Sequence, residues 1–298
     1  VLAIGVFITY KILDFADLTV DGSLGLGGVV AVVLITNGVP VPLAMFIAFL
    51  AGCAAGFVTA FFNTALGLSG ILTQLALYSV YLDINGKANA PVSVDKYPLV
   101  LSSRFVTAGN ASADIIKTVG TALIFVVCII AVLYWFFGTE YGMAIRATGC
   151  NSNLSKAEGI NTKRTTIVTL VISNGLVGLS GALLAQYQGF ADVNMGRGAI
   201  VIGLASVIIG MVLGEVILRK HFNFIAKLSF TSLGAIIYFV VLRIVMLIGL
   251  STDNTKLFSA VIVAVFLAVP YLQKQSRASF AKAGKRSEES LGAGKESV

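Results

Sequence analysis

Apolar runs of about 20 residues recur along nearly the whole chain, and this recurrence limits the fold more than any other feature. A helix of that length crosses the hydrocarbon core of a bilayer. The runs are continuous rather than alternating, which speaks against a β-barrel. Hydrophobic residues make up 57% of the chain and charged residues 12%, against about 25% charged in a soluble domain. The sequence therefore reads as all-α, a polytopic membrane helical bundle of about eight hydrophobic segments. The first, residues 1–13, is too short to span and reads as incomplete. Gly52-x-x-x-Gly56 and Gly210-x-x-x-Gly214 are candidate close-packing faces, and Gly175, Gly178, Ser180 and Gly181 enrich another run in small residues.

Charge orients the bundle. The net charge is +7, and the basic residues cluster between apolar runs, as cytoplasmic loops require. Fourteen of the 21 Lys and Arg fall on one side, among them Lys11, Arg146, Lys156, Lys163, Arg164, Arg219, Lys220 and six in the tail. This gives one membrane domain over 1–272 and a basic, disordered cytoplasmic tail over 273–298, with the C-terminus inside. Residues 139–165 form a cytoplasmic loop. Residues 83–116, with balanced charges, form an external one, with a surface helix near 109–116. His221 reads as solvated in a basic turn. The basic excess is explained by topology, so nucleic acid is not implied. Cys53, Cys128 and Cys150 show neither metal nor disulfide spacing. No paired histidines or nucleophile elbow point to an enzyme. No G-x-x-x-x-G-K-[ST] phosphate loop occurs, so the chain binds no cofactor of its own, and any ATP-Mg must sit on a partner.

Two stretches break the apolar pattern. In Asp14 to Gly28, three acids and several glycines interrupt membrane-like sequence. Irregular backbone at membrane depth survives only where protein buries it or water reaches it, and intramembrane acids default to function. An interfacial turn is the alternative. Phe15-Ala16-Asp17-Leu18 recurs as Phe190-Ala191-Asp192-Val193, each followed by glycines and an apolar run. The charge-derived topology enters the two copies from opposite sides, the mark of an inverted repeat with broken or re-entrant segments at the substrate site. Asp17, Thr19, Asp21 and Ser23 from one copy, and Asp192 and Asn194 from the other, are the candidate translocation-pathway residues. Arg243 is a further intramembrane charge. It reads as structural, paired with one of these acids or with Glu215, or snorkelling to an interface.

The second stretch is Gly142 to Thr166, between two apolar runs. Asn151 or Asn153 can cap a short helix, and Gly159 can close it in a left-handed conformation. A capped helix on the cytoplasmic rim suits docking to a partner; a plain connector is the alternative. Here Gly142, Arg146, Ala147, Gly149, Asn151, Ala157 and Gly159-Ile160-Asn161 resemble the coupling loop of ABC-importer permeases of the branched-chain amino acid and ribose permease superfamily. The resemblance extends to Leu18-Thr19-Val20-Asp21-Gly22-Ser23, to Gly175 through Gly181, and to Ala185-Gln186. The TVDGS run resembles permeases for tryptophan and other amino-acid-like solutes.

That resemblance implies a permease in the bacterial cytoplasmic membrane, multi-pass, with membrane lipid around it and a second permease copy beside it. An extracytoplasmic substrate-binding protein would deliver an amino acid, aromatic by the TVDGS hint, with a sugar or nucleoside as alternatives. ABC ATPase subunits would dock on Gly142, Arg146, Gly149, Asn151, Ser155, Lys156, Glu158 and Gly159. In that reading Arg146 and Glu158 make charge pairs at the joint, and Gly149 and Gly159 permit its turns. An ion-driven secondary transporter using Asp17, Asp21 and Asp192 is the rival reading, and a pore without coupled energy is a weaker one.

Overall fold

With no water in the bilayer core, a spanning segment must satisfy its own backbone, and helices do so. The computed structural model describes residues 1–68, 70–86, 88–93, 96–101, 111–218, 223–247, 260, 261 and 264. Lys87, Asp95, Arg104, Arg219, Lys220, His221 and the tail 273–298 lie outside the described residues. Val1–Ile237 forms one unit and Tyr238–Val298 a second.

In the first unit, α1 (Leu2–Phe7) continues into a π-helical turn, Ile8–Ile12. There follow α2 (Val20–Thr36), α3 (Val41–Leu66), α4 (Ile71–Asn85), α5 (Ala111–Gly138), α6 (Glu140–Cys150), α7 (Ser152–Ala157), α8 (Thr162–Gln188) and α9 (Ala199–Leu218). Helix α10 (Phe224–Leu247) runs on into the second unit. Among the described residues, five helices have the length and apolarity to cross a membrane, with Leu2–Ile12 and Val20–Thr36 as shorter apolar pieces. The polytopic helical architecture is as the apolar runs indicate.

Two boundaries differ from expectation. The surface helix expected near 109–116 is not separate: α5 is continuous from Ala111. Gly120 leaves that helix unbroken, because nothing there requires a turn. Residues 189–198, where no strand is expected, begin with a short one, β2 (Phe190–Asp192), antiparallel to β1 (Asn89–Pro91), with Asn89 opposite Asp192. A three-residue pairing has too little periodicity to show in sequence.

The core is a backbone-to-backbone contact of α2, α3 and α8. Lipid is as apolar as leucine, so helices in a membrane gain by close approach, and glycine permits it. Gly27 of α2 lies on the backbone of Gly178, and Gly181 lies on Leu24 and Gly28. A Cβ at Gly178 would stand 2.7 Å from the Ala48 carbonyl oxygen and 3.1 Å from Gly52 Cα. Gly52 and Gly56 of α3 rest on Asn174 and Leu170, as their spacing suggests, and Gly210 rests on Phe230 and Thr231. Replacing Gly178 with Leu is expected to abolish folded protein, since backbone atoms on α3 cannot give way; a monodisperse peak on detergent size exclusion would contradict this. Outside that core, α5 presents Ile116, Leu123, Ile124, Val127 and Trp135 outward, the apolar surface that a bilayer covers.

Candidate functional site

The irregular backbone between the π-helical turn and α2 brings Asp17 to the middle of the bundle. Asp14 there takes a left-handed conformation, φ 55°, which aspartate tolerates better than most residues. Asp17 is 2% exposed, and each of its carboxylate oxygens accepts a hydrogen bond. The Thr19 N–H donates to Oδ1 at 2.9 Å, and Asn174 Nδ2 donates to Oδ2 at 2.6 Å. Ser23 Oγ donates to Asn174 Oδ1 at 2.6 Å, and the Thr19 and Thr59 hydroxyls share a bond of 2.8 Å. Asn174 lies near the middle of α8, a helix of 27 residues. The network thus stands near half-depth, and α2, which starts beside it, is a helix beginning inside the bundle. Of the sequence-predicted pathway residues, Asp17, Thr19 and Ser23 are joined here, all buried.

Asp21 lies outside that network. Its carboxylate accepts the N–H of Gly198 at 2.9 Å and of Ile200 at 2.8 Å, capping the start of α9. The N-terminus of a helix carries unsatisfied donors and partial positive charge, so a carboxylate is favoured there. The segments that follow the two copies of Phe-Ala-Asp therefore meet. Each aspartate also closes the same local turn, Asp17 accepting from Thr19 N–H and Asp192 from Asn194 N–H, the latter at 2.6 Å. From Met195 to Ile200 the partners on α2 run backwards, Gly28 to Gly196's contacts at Gly25 and Asp21. The second copy thus runs antiparallel to α2. Asp192 is half-buried and Asn194 exposed, and neither joins the Asp17 network.

Beside Asp21 is a cavity of about 220 Å³ lined by Asp21, Gly22, Gln74, Leu75, Tyr78, Tyr81 and Arg197. Gly22 lets α4 approach, since a Cβ there would lie 2.9 Å from Leu77 Cδ1. Gly25 leaves room for the Tyr81 ring, 3.4 Å from where a Cβ would be. Tyr78 and Tyr81 stand edge to face, centroids 5.5 Å apart. Arg197 and the tyrosines were not singled out by sequence. The available signal was the spacing of Gln74, Tyr78 and Tyr81, which places them on one face of α4.

The loop 139–165 is two helices. Thr139 caps α6 by accepting from Gly142 N–H at 3.3 Å. Asn151 caps α7 by accepting from Asn153 and Leu154 N–H, both at 3.1 Å, and Gly159 follows with φ 84°, a left-handed value. Gly149 makes no turn. It lies inside α6 with its Cα face on Ile12 and Leu13, so the packing of α6 on the π-helical turn, rather than a bend, needs glycine there. Thr148 and Thr165 hydroxyls, 3.1 Å apart, tie α6 to α8. Gly142 and Ser155 are buried. Asn151, Lys156, Glu158 and Gly159 are exposed, and so is Leu154, 57% exposed, which sequence reasoning passed over. Arg146 is placed 5.3 Å from the Phe224 ring, a cation–π contact, beside a cavity of about 450 Å³ that also includes Trp135. Glu215 and Arg243 are both exposed on their own helices.

Comparison with known proteins gives a coherent family. Residues 1–270 match the family described as branched-chain amino acid transport system / permease component. A tyrosine transport system permease protein of Clostridioides difficile (strain R20291) is 38% identical over 286 residues, covering 95% of this chain and 91% of that protein. An uncharacterised protein of Rickettsia prowazekii (strain Madrid E) is 33% identical, covering 90% and 92%. A fructose import permease protein of Bifidobacterium longum (strain NCC 2705) is 27% identical, covering 84% and 68%. No solved structure matches. With its membrane-length helices and a match over nearly its full length, the chain belongs to the permease-component family of branched-chain amino acid transport systems, among the ABC-importer permeases.

Proposed function

We propose that this chain forms the pathway through which an ABC importer brings an amino acid into a bacterial cell, and that α7 is its joint with the ATPase. The observation that carries the reading is the mounting of α6 and α7. Through Gly149 and Thr148 they bear on the π-helical turn and on α8, the two elements that converge on the Asp17 network. A push on α7 would therefore reach the half-depth break, where transporters place their sites. Exposed Leu154, followed by exposed Lys156 and Glu158, offers an apolar side chain with charges on the same short helix and its cap, a form that fits a groove on a partner.

In this reading ATP-Mg stays on two ATPase subunits, an external binding protein supplies the solute, and two permease copies form the pathway. The external segment between α4 and α5 is the proposed surface for the binding protein, and the C-terminus lies in the cytoplasm. The tyrosine permease relative supports an amino acid as solute; the fructose permease relative, less similar, keeps a sugar as the second choice. Purification from native membranes with mass spectrometry tests the joint. An ATPase should co-purify in stoichiometric amount and be lost when residues 151–158 are replaced by a Gly-Ser linker. A protein that emerges alone, and moves solute under an ion gradient, supports the secondary-transporter reading instead.

A further inference from the structure

The cavity beside Asp21 holds two opposite charges that do not neutralise each other. Arg197 stands between Gly196 and Gly198 in the turn entering α9, and its guanidinium forms no hydrogen bond or ion pair among the described residues. The Asp21 carboxylate is fixed by two backbone N–H groups, and each oxygen keeps a lone pair for a further donor. No ion pair joins Asp21 to Arg197, although both line the same small space. The exposed Arg197 guanidinium and the remaining lone pairs of Asp21 both stay available to a ligand. A neutral solute such as a sugar could hydrogen-bond to both but would bring no charge to either. A molecule bearing an ammonium and a carboxylate on one carbon would satisfy them together. The volume, about 220 Å³, is below the roughly 300–1,000 Å³ of drug-sized sites, and so suits a single amino acid.

We propose that this cavity is a transit site for the zwitterionic head of an α-amino acid, with Asp21 taking the ammonium and Arg197 the carboxylate. Tyr78 and Tyr81, edge to face, wall the side chain, and Gln74 supplies a neutral polar contact. The inference rests on the importer reading above and adds the residues that recognise the solute. Arg197 is an apt probe because its exposed side chain holds nothing else in place.

The test uses the complete importer, permease with its ATPase and binding protein, reconstituted in vesicles with labelled L-tyrosine as probe. Arg197→Ala is expected to lower ATP-driven uptake at least tenfold, while ATP hydrolysis stimulated by the loaded binding protein stays within twofold. Arg197→Lys should recover part of the uptake, because it keeps the charge. Tyr78→Leu should lower uptake with the same preserved hydrolysis. Uptake by Arg197→Ala within twofold of the parent would overturn the site. Equal loss of uptake and hydrolysis would assign Arg197 to coupling, and would overturn it too. A parent complex that hydrolyses ATP but moves no amino acid would overturn the importer reading for this solute class, and the inference with it.

Discussion

Replacing Asn174 with Leu is expected to destabilise the protein by about 3 kcal/mol or more, because it strips a buried carboxylate of its side-chain donor. Asn174 is 0% exposed and serves three groups at once: it donates to Asp17 and to the Leu170 carbonyl and accepts from Ser23. Leucine has nearly the same bulk, so the loss is of hydrogen bonding rather than volume. Asp17 would keep only its bonds from Thr19. Against a total stability of about 5–15 kcal/mol, that is enough to cut the yield of folded protein sharply. Adding Asp17→Asn to Asn174→Leu should return part of the stability, since the unpaired group is then neutral. Thermal unfolding in detergent reads both effects. A single variant within 1 kcal/mol of the parent, by the approximate scale of ordinary hydrogen bonds, would mean that Asp17 is not charged and paired as drawn.

The second large effect is on coupling. Leu154→Asp combined with Lys156→Glu and Glu158→Lys should leave the permease folded, because all three side chains are exposed. It should nevertheless cost at least a tenfold loss of ATP-driven uptake. Burying a leucine in a partner stabilises by roughly 1.5–3 kcal/mol, or one to two powers of ten in affinity. Arg146 is left out of this set, since it rests on Phe224 rather than facing outward with α7. Full uptake by the triple variant would remove α7 from the joint.

Much of this was legible from sequence for physical reasons. Spanning helices announce themselves by length, and the Asn151 cap and the Gly159 turn follow from local backbone chemistry. The Phe-Ala-Asp echo proved to be a shared Asx turn. What was hidden depends on tertiary contact. Gly149 looked like a turn residue because glycine's two uses, conformational freedom and close approach, look the same in a sequence. Asp21 reads in sequence as a pathway acid, but its bonds to the N–H groups of Gly198 and Ile200, 177 and 179 positions away, could not be read there. Arg197 carries no motif or periodicity that marks it in the sequence. Its place beside Asp21 arises only because the second copy folds back antiparallel on α2.

The most direct measurement of the central claim is uptake of labelled L-tyrosine by vesicles that contain the permease, its ATPase and its binding protein. Uptake should require internal ATP, should persist when ion gradients are collapsed with ionophores, and should vanish when the binding protein is omitted. Uptake that survives without ATP and disappears with the ion gradient would contradict the account, and would make the aspartates of the two repeats ion sites instead.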